Sequence, residues 1–121
     1  MDFSEAVRYA EKIITEEGFS ILLTKSIDEI LKKKLGLREY PRYTIILACA
    51  PELAKMALDV SKDVGSLFPC SFVIHEEKHK VFVSHLSIMK TAVEIGIAPA
   101  DQMETVIQKT AEKIEKVWKR L

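Results

Sequence analysis

The sequence has 121 residues, of which 18 are basic and 18 are acidic, so its formal net charge is zero. A neutral chain lacks the strong basic excess of most nucleic-acid-binding proteins, and its longest apolar runs, such as Thr44–Ala50, are far too short to cross a bilayer. The acidic, polar N-terminus is unlike a secretory signal. We therefore expect one domain over residues 1–121, located in the cytoplasm, with no nucleic-acid or membrane partner.

The first predicted element is a helix. Asp2 and Glu5 have the spacing of a capping box, in which each side chain accepts a hydrogen bond from the other residue's backbone N–H. Apolar residues then recur at helical intervals as far as Gly18, which ends the helix. The short apolar segment Phe19–Thr24 that follows predicts a strand.

A short helix and a buried strand are predicted next. Ser26 and Glu29 repeat the capping-box spacing, and Gly36 supplies a C-cap. The apolar segment Tyr43–Cys49 is the clearest candidate for a buried strand. Pro51 follows at the first position of another helix, where its missing N–H leaves no hydrogen bond unmade.

Gly65 breaks the helical pattern, and a hairpin follows it. Ser71–Glu76 and Val81–His85 alternate between apolar and polar residues on either side of a charged turn. A short helix is predicted near Ile88–Ile95, and Asp101 is expected to cap the longest helix. This mixed order, with a hairpin and no repeated β–α unit, predicts an α+β two-layer sandwich in which helices pack on a largely antiparallel sheet.

The last helix carries an apolar stripe. Its apolar positions step by three and four residues and are Met103, Ile107, Thr110, Ile114, Val117 and Leu121. Such a stripe is most simply one face laid on the sheet, although a helix–helix dimer seam is an alternative. Trp118 is predicted to belong to the core.

The residues best suited to chemistry are the two cysteines. Cys49 lies at a strand-to-helix junction, where unpaired backbone N–H groups stabilise a thiolate, although Glu52 in the first helical turn opposes this effect. The alternative is that Cys49 is a small buried residue. Cys70 shares a strand face with Phe72 and Ile74, which favours burial. Both thiols are expected to be free, and the absence of Asn with only two Gln is typical of a thermophilic source.

Three histidines near the hairpin invite comparison with a metal site. With an even-length turn, His75 and His85 point to opposite faces of the sheet and His79 lies at the tip, so the three cannot converge. We therefore expect these histidines to be polar residues at exposed strand positions. The sequence predicts no metal site and no cofactor.

Two segments carry a family resemblance. They are Ala48-Cys49-Ala50-Pro51-Glu52-Leu53-Ala54 and Gly65-Ser66-Leu67-Phe68-Pro69-Cys70. In this order and spacing, together with Gly18-Phe19 and Leu35-Gly36, they resemble the uncharacterised family known as domain of unknown function 302, and the resemblance covers roughly residues 13 to 118. It implies helices packed on a curved antiparallel sheet, similar in outline to the TATA-binding-protein fold. It also implies a homodimer, and it implies no assigned reaction.

The functional prediction centres on the two cysteine segments. We expect a non-enzymatic, homodimeric binding or accessory module, because no acid–base groups converge on either segment. The residues expected to line a small pocket for a small-molecule ligand are Cys49, Pro51, Glu52, Pro69 and Cys70. An alternative is a thiol-dependent redox or sulfur-transfer protein that uses Cys49, with Cys70 as its resolving partner. A third interpretation is a purely structural dimerisation domain.

Overall fold

The computed structural model describes residues 2–121. The elements follow one another as α1 (Phe3–Glu16), β1 (Ser20–Ser26), α2 (Ile27–Leu35), β2 (Tyr43–Cys49), α3 (Pro51–Val60), a 3-10 helix (Lys62–Leu67), β3 (Cys70–Glu77), β4 (Lys80–His85), α4 (Ile88–Glu94) and α5 (Ala100–Arg120). Each strand and α-helix predicted from the sequence is present. The 3-10 helix occupies the stretch in which the sequence predicts only a break at Gly65.

The helix ends agree with the sequence rules in part. The capping box of α1 is confirmed, because Glu5 N–H donates to Asp2 Oδ1 at 2.8 Å. The second predicted capping box is wrong: Ser26 is the last residue of β1 and its side chain makes no cap hydrogen bond. The predicted cap of α5 is also wrong, since the helix already begins at Ala100 and Asp101 therefore lies inside its first turn.

The four strands form one open antiparallel sheet in the order β1-β2-β3-β4. The predicted hairpin is confirmed, with Glu77 paired to Lys80 across a two-residue turn. Both turn residues, Lys78 and His79, have positive φ, as the twist of a two-residue hairpin requires. Because β2 and β3 are neighbours, Ala48 pairs directly with Cys70, and the two cysteine segments meet at one end of the sheet.

One face of the sheet carries the core. Buried side chains of β2 and β3, including Ile46 and Phe72, pack against α1 and α5. A second cluster joins α3, the 3-10 helix and α4 to the first half of α5. The fold is therefore α+β, with helices packed on an antiparallel sheet, as predicted.

The long helix α5 runs through both clusters with most of its predicted stripe turned inward, but Leu121 is wrong as a stripe residue, because it follows the helix and is exposed. Its buried residues are Met103, Val106, Thr110, Ile114 and Val117. Trp118 differs from the prediction, because 40% of its surface remains exposed and it lies outside the core. No helix within residues 2–121 combines the length and apolar character needed to span a membrane.

Candidate functional site

A small cleft opens at the end of the sheet where β2 stops and β3 begins. Helices α3, α4 and α5 close it from above. Most of its lining is apolar and includes Phe19, Leu53, Phe68, Ile88, Met89 and Ile114. Besides the thioether of Met89, the lining residues with a sulfur, nitrogen or oxygen atom in the side chain are Cys49, Cys70, His85 and Thr110. The cleft thus joins the predicted cysteine segments to two residues from later in the chain.

The size of the cleft limits what it can hold. The cleft has an empty volume of about 410 Å³ if its opening to solvent is counted. The interior that the centre of a water molecule can enter is much smaller, about 30 Å³. A space of that size suits one or two water molecules. A ligand can therefore place only a small end group in the cleft unless the walls move.

Cys70 is held in the cleft wall as a neutral thiol. Its S–H donates to the carbonyl of Ala48 at 3.2 Å. Burial raises the pKa of Cys70 from 9.0 to about 11, with a further contribution from the neighbouring Cys49 and a smaller opposing one from a backbone hydrogen bond. Both cysteines are free and half-buried. At physiological pH, the side chain of Cys70 is therefore a protonated thiol and not a thiolate.

The sequence predicted His85 at an exposed strand position and no acid–base group near the cysteine segments, and both predictions are wrong, because His85 is half-buried and lines the cleft. It pairs with Phe72 across the hairpin, so it shares the core face of the sheet, and the two rings stack at 4.6 Å between centroids. Burial lowers the pKa of His85, and its hydrogen bond to the Ser71 carbonyl offsets this only in part. Since that carbonyl accepts from Nδ1 at 2.9 Å, Nδ1 carries the proton and Nε2 is left as an acceptor.

Thr110 brings an unpaired hydroxyl to the cleft. The residue is 9% exposed, and its Oγ1 has no hydrogen-bond partner among the residues that the structure describes. A buried hydroxyl without a partner costs about 1–3 kcal/mol. The sequence presents Thr110 only as a member of the apolar stripe of α5, so its polar role was not predicted. Because Oγ1 itself is closed to solvent, a bound molecule with a hydrogen-bonding atom would satisfy this hydroxyl once the cleft wall moves to admit it.

The predicted site residues are brought together in part. Cys49, Pro69 and Cys70 line the cleft. Pro51 and Glu52 are exposed at the start of α3, and neither is among the residues that line it. Glu52 instead borders a separate surface groove that includes Lys109 and Lys113 of α5.

Comparison with known proteins identifies the family. The model of the family described as Domain of unknown function DUF302 matches residues 1–121. The chain belongs to this family. A crystal structure of an uncharacterized conserved protein DUF302 from Bacillus stearothermophilus is 22% identical in sequence, with a TM-score of 0.85 over 99% of this chain and 91% of that chain. This likeness shows that the two DUF302 proteins share a fold. No curated protein matches the chain.

The cleft of this DUF302 protein contains residue types that bind metals elsewhere. Within residues 2–121, however, no three or more His, Cys, Asp or Glu side chains lie close enough together to hold a metal ion. Cys70 and His85 are both uncharged at pH 7, because burial disfavours their ionised forms. What the cleft presents is an apolar surface with a few uncharged polar groups.

We predict that Cys70 of the folded protein reacts slowly with iodoacetamide. In a Cys49→Ser variant at pH 7.5, its alkylation should be slower than in the urea-unfolded chain by up to about a hundredfold, because burial, the largest cause of the rise in the pKa from 9.0 to about 11, is kept while the contribution of Cys49 is lost. Mass spectrometry of timed samples gives both rates. The reciprocal Cys70→Ser variant serves as the control for the reagent.

This measurement bears on the thiol-dependent alternative, in which Cys70 acts as the resolving partner of Cys49. Ala48, and not Cys49, is the direct ladder partner of Cys70, although both cysteines line the cleft and Cys49 contributes to the raised pKa of Cys70. Equal alkylation rates in the folded and unfolded chain would contradict the prediction and favour the thiol chemistry.

Proposed function

We propose that this DUF302 protein is a non-enzymatic binding module whose cleft holds the uncharged, hydroxyl-bearing end of a small molecule. The observation that carries the proposal is the buried, unpaired hydroxyl of Thr110 on the wall of an otherwise apolar cleft. Pockets for small molecules are typically apolar with a few placed polar groups that fix the ligand's orientation. The Thr110 hydroxyl has this character.

The electrostatics of the cleft favour an uncharged end group. Cys70 keeps its proton at physiological pH, and His85 is neutral. No carboxylate is found among the residues, within 2–121, that line the cleft. A charged group would lose its hydration there without gaining a counter-charge, which is strongly unfavourable.

The hydrogen-bonding groups of the cleft suit an alcohol. The Thr110 hydroxyl can donate, and Nε2 of His85 can only accept. A ligand hydroxyl can accept from the first and donate to the second. The neutral imidazole of His85 is an acid–base group in the cleft, but Cys70 keeps its proton and, within residues 2–121, the lining contains no carboxylate. We therefore propose binding rather than covalent catalysis.

The test uses butan-1-ol as the probe and backbone amide chemical shifts as the readout. We expect butan-1-ol to shift the amides around the cleft, whereas butanoate and butylammonium, of similar shape but charged, leave them unchanged. Ala54→Leu fills the cleft with a longer side chain and should abolish the shifts. Ala6→Leu, at a half-buried alanine of α1 that does not line the cleft, is the matched control.

A Thr110→Val variant distinguishes the contribution of the hydroxyl to binding from that of the shape of the cleft. It should bind butan-1-ol roughly three- to tenfold more weakly, the effect of one lost hydrogen bond. It should also raise the free energy of unfolding of the free protein by about 1 kcal/mol, because an unpaired buried hydroxyl is removed. Shifts caused equally by the charged probes, or unaltered in Ala54→Leu, would overturn the proposal.

We also propose that the protein is a homodimer that pairs through the outer face of its sheet, the face opposite the core. An antiparallel sheet usually presents polar residues on its open face. Here the register places Ile45, Leu47 and Val73 there, all half-buried, with Leu23 at 44% and Phe82 at 43% exposure. Apolar patches of this kind mark interaction surfaces, and a zero net charge sets up no overall repulsion between two copies.

A further inference from the structure

A second groove shares a wall with the cleft. His85, Thr110 and Ile114 line both of them, and the groove continues past Ser87, Lys90, Glu115 and Trp118. Its empty space is about 790 Å³ when the part open to solvent is included, roughly twice that of the cleft. A chain-like molecule anchored in the cleft could therefore continue along this shared wall into the groove.

The shared wall is one face of α5. Thr110, Ile114 and Trp118 are spaced four residues apart, so they lie one above another on the helix. The distance along the axis from Thr110 to Trp118 is about 12 Å at 1.5 Å per residue. Trp118, at 40% exposure, ends this row with a large apolar ring that the core does not use. A half-exposed indole is well suited to contact the apolar body of a ligand.

The groove is lined by one charged side chain that has a partner of opposite charge and by one that has none within residues 2–121. Glu115 lies 3.4 Å from Lys119, one turn further along α5. Lys90 is exposed and, within residues 2–121, forms no ion pair. The uncompensated charge of the groove is therefore positive, and it favours an anionic group on the ligand.

We propose that the ligand is an elongated monocarboxylate with a hydroxyl group at its far end. The hydroxyl end enters the cleft, the aliphatic body lies along Ile114 and Trp118, and the carboxylate meets the ammonium group of Lys90. This assignment rests on the proposed function of the cleft and names the chemical class of its ligand.

The test compares 8-hydroxyoctanoate with the short probe butan-1-ol. Trp118 is the only tryptophan of the chain, so its fluorescence reports on the groove alone. We expect 8-hydroxyoctanoate to change this fluorescence and to bind about tenfold more tightly than butan-1-ol, because its additional methylene groups are partly buried. Butan-1-ol should shift the amides of the cleft and leave the fluorescence unchanged.

Charge variants test the role of Lys90. Lys90→Gln should weaken 8-hydroxyoctanoate binding roughly two- to fivefold, the range expected for an exposed ion pair, and leave octan-1-ol binding unchanged. Lys109→Gln is the control. It also removes one positive charge, but Lys109 lies on α5 and borders the groove that includes Glu52, so the substitution should leave 8-hydroxyoctanoate binding unchanged. Octanoate, which lacks the hydroxyl group, should bind more weakly than 8-hydroxyoctanoate.

The outcomes distinguish the two proposals. If butan-1-ol binds in the cleft but 8-hydroxyoctanoate binds no more tightly and leaves Trp118 unchanged, the elongated ligand is wrong and the binding function stands. If neither hydroxyl probe binds, the binding function itself is wrong. If 8-hydroxyoctanoate alters Trp118 equally in Ala54→Leu, the groove acts independently of the cleft and the assignment is overturned.

Discussion

Replacing Phe72 with alanine is expected to lower the free energy of unfolding by about 3–5 kcal/mol. Phe72 has no exposed surface. Its ring meets Phe19 edge to face at 5.8 Å and stacks on His85 at 4.6 Å, so it contributes to the core and supports the cleft wall at once. Truncation leaves a cavity that close-packed neighbours fill only in part. Denaturant unfolding followed by circular dichroism measures the loss.

Two further variants distinguish the effect of the cavity on stability from the effect of losing the aromatic ring. Phe72→Leu keeps most of the apolar volume and should cost less than about 1.5 kcal/mol. It also removes the surface on which His85 stacks, so it should weaken butan-1-ol binding. Tyr40→Ala truncates an aromatic side chain that is 43% exposed, and should change stability by no more than about 0.5 kcal/mol. If leucine costs as much as alanine, the cavity is not the cause.

Local rules were sufficient to predict the strands, the α-helices and the strand faces, but not the 3-10 helix or two of the helix caps. Alternation along the hairpin placed Cys70 on the face of Phe72 and Ile74, and the observed register agrees. The same alternation predicted that His75 and His85 lie on opposite faces of the sheet, and this is confirmed. These predictions succeed because they depend only on the backbone geometry of one strand or one hairpin.

The cleft depends on packing between distant segments, which local rules do not reach. Alternation assigns His85 to a face of the sheet, but it does not show that α4 and α5 cover that face. Thr110 comes from α5, far along the chain from Cys49, and its spacing is that of an ordinary apolar stripe. Glu52 illustrates the reverse case, because it is adjacent to the cysteine segment in sequence and yet faces a different groove.

Asp28 was also beyond sequence reasoning. It looks like one of several charged residues at the start of α2, but it is 1% exposed. Its Oδ1 accepts a hydrogen bond from Tyr43 N–H at 3.0 Å, and its Oδ2 lies 3.6 Å from Nε of Arg42. The carboxylate therefore joins the start of α2 to the start of β2, two segments that the sequence separates by a loop.

A Phe82→Glu substitution is expected to convert the proposed homodimer into monomers. Phe82 stands on the outer face of the sheet beside His75, whose ring also stacks on Tyr43, so these rings form a continuous row across three strands. Glutamate removes the apolar ring and introduces a charge into the interface of both copies. We expect the dimer dissociation constant to rise at least about 100-fold. Sedimentation velocity over a range of protein concentrations measures it.

The control for this substitution is Ile95→Glu. Ile95 is 58% exposed and follows α4, away from the outer face of the sheet, so the same charge there should leave the dimer intact. Because Phe82 is already 43% exposed in the isolated chain, Phe82→Glu should unfold at nearly the same denaturant concentration as a wild-type monomer. Dissociation is then a property of the interface and not of the fold. A wild-type protein that stays monomeric at 100 μM, or a dimer that survives Phe82→Glu, would rule out pairing through this face.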